Sequence, residues 1–181
     1  MGRTSNDAWN EGFKIHSSNP EKAIELYQEA IDLSNGNPHV YLYTNIADCY
    51  NQLKDYAKTE EYYTLAENNG FETLEYKYSS GAYNSYAWFL YDIKKDYKRA
   101  LIFAKIAVAL TPNDFAHLDT ICQILEKLGD KNNLFRYLFR LKKICPTYQA
   151  TQNLFDKYEN ELEDFYKNYW QKTKKKQVVK K

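Results

Sequence analysis

Three histidines are the first candidates for proton transfer or metal ligation, and they stand at His16, His39 and His117. A general base or a metal ligand needs partners in reach, and motifs such as HExxH supply two ligands on one helix face. No such spacing occurs. There is also no Gly-rich phosphate loop, no GxSxG elbow and no Cys/His cluster with metal-ligand spacing. Cys49, Cys122 and Cys145 are odd in number, far apart and set among apolar residues, with no CxxC pair. They read as small buried hydrophobes. Carboxylates abound, with 24 Asp and Glu, but on helical surfaces these usually form a solvated face. The sequence therefore predicts no enzyme, no metal site and no cofactor.

Composition identifies the elements that would carry any function. Hydrophobic residues make up 44 % of the 181 and aromatic residues 17 %, enough for a folded core. Eighteen tyrosines supply large rings with polar tips, suited to helix packing and to binding surfaces. Six Gly and four Pro favour helices with short turns over a strand-rich fold. No segment reads as a secretory leader or a bilayer span, so a reducing cytoplasm is the expected setting.

A repeat organises the chain. Leu118 to Leu125, Gly129-Asp130, Leu134, Leu138, Leu141 and Pro146 form one frame. Stepping back 34 residues gives Tyr91, Asp96-Tyr97, Ala100, Ala104, Ala107 and Pro112. Residues 40–69 repeat it with Ile46, Ala47, Tyr50, Asp55-Tyr56, Thr59, Tyr63 and Ala66. Residues 7–37 repeat it with Ala8, Gly12, Ile15, Ala23, Tyr27 and Ala30 ahead of Pro38. This pattern resembles the tetratricopeptide repeat, a helix pair with a 34-residue period. The resemblance implies an all-α fold: an α-solenoid of about four hairpins (7–37, 40–69, 80–112 and 114–146) within an array over 7–146. Small residues let paired backbones approach, and Tyr and Leu fill the gaps between stacked pairs.

Helix punctuation agrees. Asn19-Pro20-Glu21 reads as an N-cap, a first-turn Pro and a first-turn acid. Asn37-Pro38, Thr111-Pro112 and Cys145-Pro146 mark breaks, and Asn35-Gly36 and Asn69-Gly70 suit left-handed helix ends. Thr59 and Ala100 lie 41 residues apart, seven beyond the period. The excess, 71–79, is expected mainly to lengthen the following helix, with a surface loop as the alternative. In the ungapped third repeat Trp88 falls on a position that is normally small. A one-residue bulge after Ala87-Trp88 is the other register.

Residues 148–171 show helical spacing of Ala150, Leu154, Phe155, Tyr158, Leu162, Phe165, Tyr166 and Tyr169. The array should therefore end in a long C-terminal capping helix, assigned to 147–171; the other reading is a helix that binds a partner or second copy. Residues 172–181 hold six lysines and no acid, and removing them from the net +1 leaves −5 for 1–171. A solvated, disordered basic tail is expected. Nucleic-acid or membrane binding through it is the less favoured reading, because it lacks interleaved aromatics.

In tetratricopeptide proteins the first helix of each repeat lines a concave groove. The resemblance places Trp9, Phe13 and His16 there, then Tyr41, Thr44, Asn45 and Asp48, then Tyr86, Phe89 and Asp92, then Asp119, Gln123, Glu126 and Lys127. That face is aromatic at one end and acidic at the other. It suits a protein or peptide partner with apolar anchors and basic residues. One subfamily clamps acidic chaperone tails with Lys, Arg and Asn. The corresponding positions here hold Trp9, Phe13, Asn45, Ala82 and Tyr86, of which only Asn45 matches. No such clamp is expected. The reading is a non-catalytic interaction module, an adaptor or scaffold. Its alternative is a chaperone of the bacterial secretion type holding an unfolded client.

Overall fold

The computed structural model describes residues 2–69, 76–146 and 149–167, and among them every regular element is helical. The helices α1 (Ser5–Ile15), α2 (Pro20–Asp32), α3 (Val40–Gln52), α4 (Tyr56–Asn68), α5 (Tyr76–Asp92) and α6 (Tyr97–Leu110) belong to one compact unit, Met1–Thr111. A second unit, Pro112–Lys181, holds α7 (Phe115–Leu128), α8 (Lys131–Ile144), α9 (Gln152–Lys157) and helical turns over 159–167. Consecutive helices pair as hairpins: α1 with α2, α3 with α4, α5 with α6, and α7 with α8. In the first unit α2 also packs on α3, and α3 on α5.

Local chemistry explains where the helices begin. Four amide groups at each helix start lack intrahelical partners, and a short polar side chain at the N-cap satisfies one or two. Thr4 and Asp7 form a reciprocal capping box, with Thr4 N to Asp7 Oδ2 at 2.9 Å and Asp7 N to Thr4 Oγ1 at 3.2 Å. Asn19 caps α2 by accepting from Lys22 N at 3.1 Å, with Pro20 as the first helical residue. Asp55, Asp96, Asp114 and Asp130 cap α4, α6, α7 and α8. Asn35 and Gly36 are left-handed, at φ 54° and 83°, and Gly129 closes α7 at φ 71°. Asn69 is not left-handed: at φ −93° its amide bonds back to Leu65 O.

Small residues set the spacing within each pair. Ala8, Ala23, Ala30, Ala47, Ala66, Ala87, Ala100, Ala104 and Ala107 are all fully buried. Gly12 is the tightest approach, since a Cβ there would meet the Tyr27 ring at 2.9 Å. The first unit's core includes Ala8, Ala23, Tyr27, Leu42, Ile46 and Cys49.

The register of the third hairpin is now explicit. Helix α5 is longer than its neighbours, at 17 residues, and begins at Tyr76. Residues 76–79 of the excess are thus helical, and 71–75 lie outside the described residues. Ala87 is fully buried, whereas Trp88 is 40 % exposed. The extra residue is taken up later, at the end of α5. Asp96 N reaches back six residues to Leu90 O, where Asp55 N in the matching turn after α3 reaches back five to Tyr50 O, both at 2.9 Å. Trp88 therefore does not occupy the small-residue position.

The C-terminal segment departs from one continuous helix. A 3-10 turn (Gln149–Thr151) leads into α9, and the chain turns at Tyr158 before resuming over 159–167. Leu154, Tyr158 and Leu162 still form one buried stripe at four-residue spacing. Tyr158 and Phe165 each meet Phe135 of α8 edge-on at 5.6 Å, and Tyr166 meets Phe139 at 4.8 Å. This segment covers α8 with aromatic rings. The part of the expected capping helix beyond 167, and the whole Lys-rich tail, lie outside the described residues.

Candidate functional site

In the first unit, one turn of α1, the inner face of α3 and the middle of α5 enclose a cleft of about 190 Å³. Trp9, Phe13, Tyr41, Thr44, Asn45, Asp48, Gly81, Ala82 and Ser85 line it. Trp9 is its centre. Phe13, one helical turn on, stacks against Trp9 at 5.5 Å and 30°, and Tyr41 meets Trp9 from α3 at 5.1 Å. His39 stacks on Tyr41 in turn at 5.1 Å. Phe13 remains 57 % exposed, a large apolar ring held in water.

Asp48 supplies the charge. The Tyr63 hydroxyl of α4 donates to its Oδ1, and Ser85 of α5 also hydrogen-bonds to it. Burial nevertheless pushes this carboxyl up to about 6, against the pull of both hydroxyls. Among the described residues no basic side chain forms an ion pair with Asp48. Tyr63 is held in turn by the Tyr86 ring, stacked on it at 4.5 Å. Tyr86 OH donates to Glu67 Oε2 at 3.0 Å and accepts from Arg99 Nη2 at 2.8 Å. Arg99 closes the network on Glu67 at 3.0 Å.

The expected site residues separate into groups. Trp9, Phe13, Tyr41, Asn45 and Asp48 come together in the cleft. Tyr86 and Phe89 do not face a groove. Both are fully buried, and they pack on Tyr63 at 4.5 and 5.7 Å. The physical reason is the register of α5. One residue turns a helix by about 100°, so Ser85, not Tyr86, reaches the cleft. Asp92 sits exposed at the end of α5, 3.5 Å from Lys95. His16 is turned toward the hairpin interior, with Nδ1 3.0 Å from Tyr27 OH and 3.5 Å from Cys49 Sγ.

The remaining candidates belong to the second unit. Asp119 is buried, and Gln123 Nε2 lies 3.5 Å from its Oδ1. Burial raises its carboxyl above the usual range. Glu126 is committed to Lys157 of α9 at 2.6 Å, with its side chain 17 % exposed. It tethers the C-terminal segment to α7 instead of lining an open acidic surface. Gly81 and Ser85 are cleft residues that the sequence reading did not include, and Ala82 entered it only as a clamp position. The small-residue pair Gly81-Ala82, one turn before Ser85, was the available signal.

The His16–Cys49 contact has the elements of a nucleophilic pair but the wrong electrostatics. Burial lowers His16, which disfavours its cationic form, and burial pushes the Cys49 thiol up to about 12. A reactive cysteine needs a depressed pKa and a cationic neighbour. Among the described residues no group of three His, Cys, Asp or Glu is placed to hold a metal ion. Among them, too, no helix is long and apolar enough to cross a membrane.

No family model matches the sequence, and no curated protein matches it. Solved structures do match. A structure from a functional characterisation of Pseudomonas aeruginosa PilF aligns with TM-score 0.71 at 16 % identity, over 86 % of this chain and 67 % of that one. YrrB, a TPR protein with an unusual peptide-binding site, aligns with TM-score 0.69 at 18 % identity, over 89 % and 84 %. MamA from Desulfovibrio magneticus RS-1 aligns with TM-score 0.70 at 14 % identity, over 98 % of each chain. At these identities the likeness speaks for the fold, and together with the hairpin pairs and the buried small-residue positions it shows that the chain has the tetratricopeptide-repeat fold.

Proposed function

We propose that this chain is a non-catalytic interaction module that holds a peptide or protein segment, and that the Trp9–Tyr41–Asp48 cleft is its anchor site. One observation carries the reading: two aromatic rings of α1, and one ring and a carboxylate of α3, converge on a solvent-open cleft, with Phe13 left 57 % exposed. Exposed rings next to a concave site are the usual composition of a binding hot spot. The likeness to YrrB, a TPR protein with a peptide-binding site, is in keeping with it. The register of α5 replaces Tyr86 by Ser85 at the site, and neither residue is a cation. A clamp for acidic chaperone tails thus has no charged donor here. The three thiols are unpaired, which suits the cytoplasmic setting that belongs to the same reading.

The test is a selection of linear peptides from a random display library against the whole protein, followed by calorimetry. Because Phe13 is largely exposed, Phe13→Ala should leave helicity and Tm nearly unchanged. Affinity for the selected peptides should fall about tenfold or more, as expected for loss of a hot-spot ring. Equal binding by Phe13→Ala and Trp9→Ala variants would overturn the assignment of the anchor site.

A further inference from the structure

We infer that the cleft is a specificity pocket for one arginine side chain of the bound segment. The guanidinium would lie against the aromatic wall and donate to Asp48 and Asn45. This rests on the reading of the cleft as the anchor site and adds the chemistry of what enters it.

Volume comes first. Drug-sized ligands fill about 300–1,000 Å³, whereas this cleft offers about 190 Å³. It admits a single long side chain, with the rest of the segment outside.

Charge comes next. Asp48 lines the cleft, and no described basic residue pairs with it. Its partners Tyr63 and Ser85 are hydroxyls, which orient the carboxylate without neutralising it. A carboxylate kept in a half-buried cleft without a counter-ion is costly to the free protein and complementary to an incoming cation. Three cationic residues of this unit are committed elsewhere: Arg3 to Glu11 and Glu29, Lys94 to Glu60, and Arg99 to Glu67.

Shape selects the kind of cation. The wall is Trp9, Phe13 and Tyr41, and aromatic faces favour a planar, weakly hydrated guanidinium over a compact ammonium. Asp48 already accepts from two hydroxyls, so a single-point ammonium would find limited capacity there. The forked guanidinium can divide its donors between Asp48 and the Asn45 side chain, one helical turn apart on the same face of α3. Thr44 does not compete, because its hydroxyl donates to Tyr41 O at 3.0 Å.

The experiment uses the full chain and small probes, so that it does not depend on any selected peptide. Nα-acetyl-arginine amide, Nα-acetyl-lysine amide and the neutral isostere Nα-acetyl-citrulline amide are titrated at pH 7.5. The Trp9 indole and Asn45 side-chain NMR signals are followed. The expected result is saturable shifts of both signals by the arginine probe, about tenfold tighter than by citrulline, and tighter than by lysine. Asp48→Asn should erase the arginine–citrulline difference. Citrulline binding as tightly as arginine, lysine binding as tightly or more so, no binding by any probe, or an unchanged difference in Asp48→Asn would each overturn the inference. The isostere comparison on the wild-type chain stands even if the variant misfolds. Peptides that need Phe13 but contain no arginine would sink this inference and leave the anchor site intact.

Discussion

Asp48 illustrates how a binding residue and a stable fold compete at a single position. Its neighbours are neutral or acidic when ionised: Tyr63 on α4, Ser85 on α5, Tyr27 on α2 and Cys49 on α3. Its carboxyl titrates near 6 in the folded chain and at about 3.9 when unfolded. The folded value is the higher, so the folded state binds the extra proton. The stabilisation is complete below about pH 4 and lost as pH rises through 6. At pH 7.5 the wild type therefore carries an ionisation penalty of about 1–3 kcal/mol, after discounting for partial solvent access. Asp48→Asn keeps an acceptor for Tyr63 and removes that penalty. Its Tm should exceed the wild type's at pH 7.5, and the two should converge near pH 4. A lower Tm for the variant at pH 7.5 would mean that the charged bond to Tyr63 outweighs burial. Among the candidate residues, Trp9, Phe13, Asn45 and Asp48 were legible in the sequence because α1 and α3 carry the repeat without interruption. Tyr86 and Phe89 were misplaced because an aromatic residue on a helix has the same signature whether it fills a core or lines a cleft. Only the register separates the two, and a single residue absorbed between Leu90 and Asp96 changed it.

At the scale of elements, the small-residue positions and the caps were the readable part of the fold. Ala100 and Ala107 were placed at close helix contacts by the repeat frame and its resemblance to the tetratricopeptide pattern, and both are fully buried in α6. Replacing either by Leu adds volume where the surrounding packing leaves no room, and overpacking of this kind costs about 1–3 kcal/mol. Thermal denaturation should show that drop for Ala100→Leu and Ala107→Leu. The same change at Ile102, which is 56 % exposed on the same helix, should be nearly neutral; equal effects at all three would refute the packing argument. The break at Tyr158 was not readable, because the stripe Leu154, Tyr158, Leu162 keeps four-residue spacing straight through it. Periodicity reports which face is apolar and is blind to a turn that preserves that face. Nor does it reveal that Lys157 reaches Glu126, since ion pairs across elements leave no mark in local spacing.

At the scale of the whole molecule, charge and binding are set in different places. Residues 1–171 carry a net −5, and the six lysines of 172–181 bring the chain to +1. The proposed anchor cleft lies in the unit that ends at Thr111, and Asp48 is the one carboxylate that lines it. The tail is basic and the cleft acidic, so the two would attract opposite classes of ligand. Exposed charges are screened beyond about 8–10 Å at physiological salt. A polyanion should therefore sense the tail as a local cluster and not as part of the net charge. On heparin the full chain should be retained at low ionic strength and elute as salt rises, and a chain lacking 172–181 should pass through. Calorimetry on the same two proteins should give peptide affinities that agree within about twofold, because the ligand's contacts in the cleft are unchanged. A deletion that left heparin retention intact would place the polyanion-binding charges on the helical body. One that abolished peptide binding instead would make the tail part of the binding site.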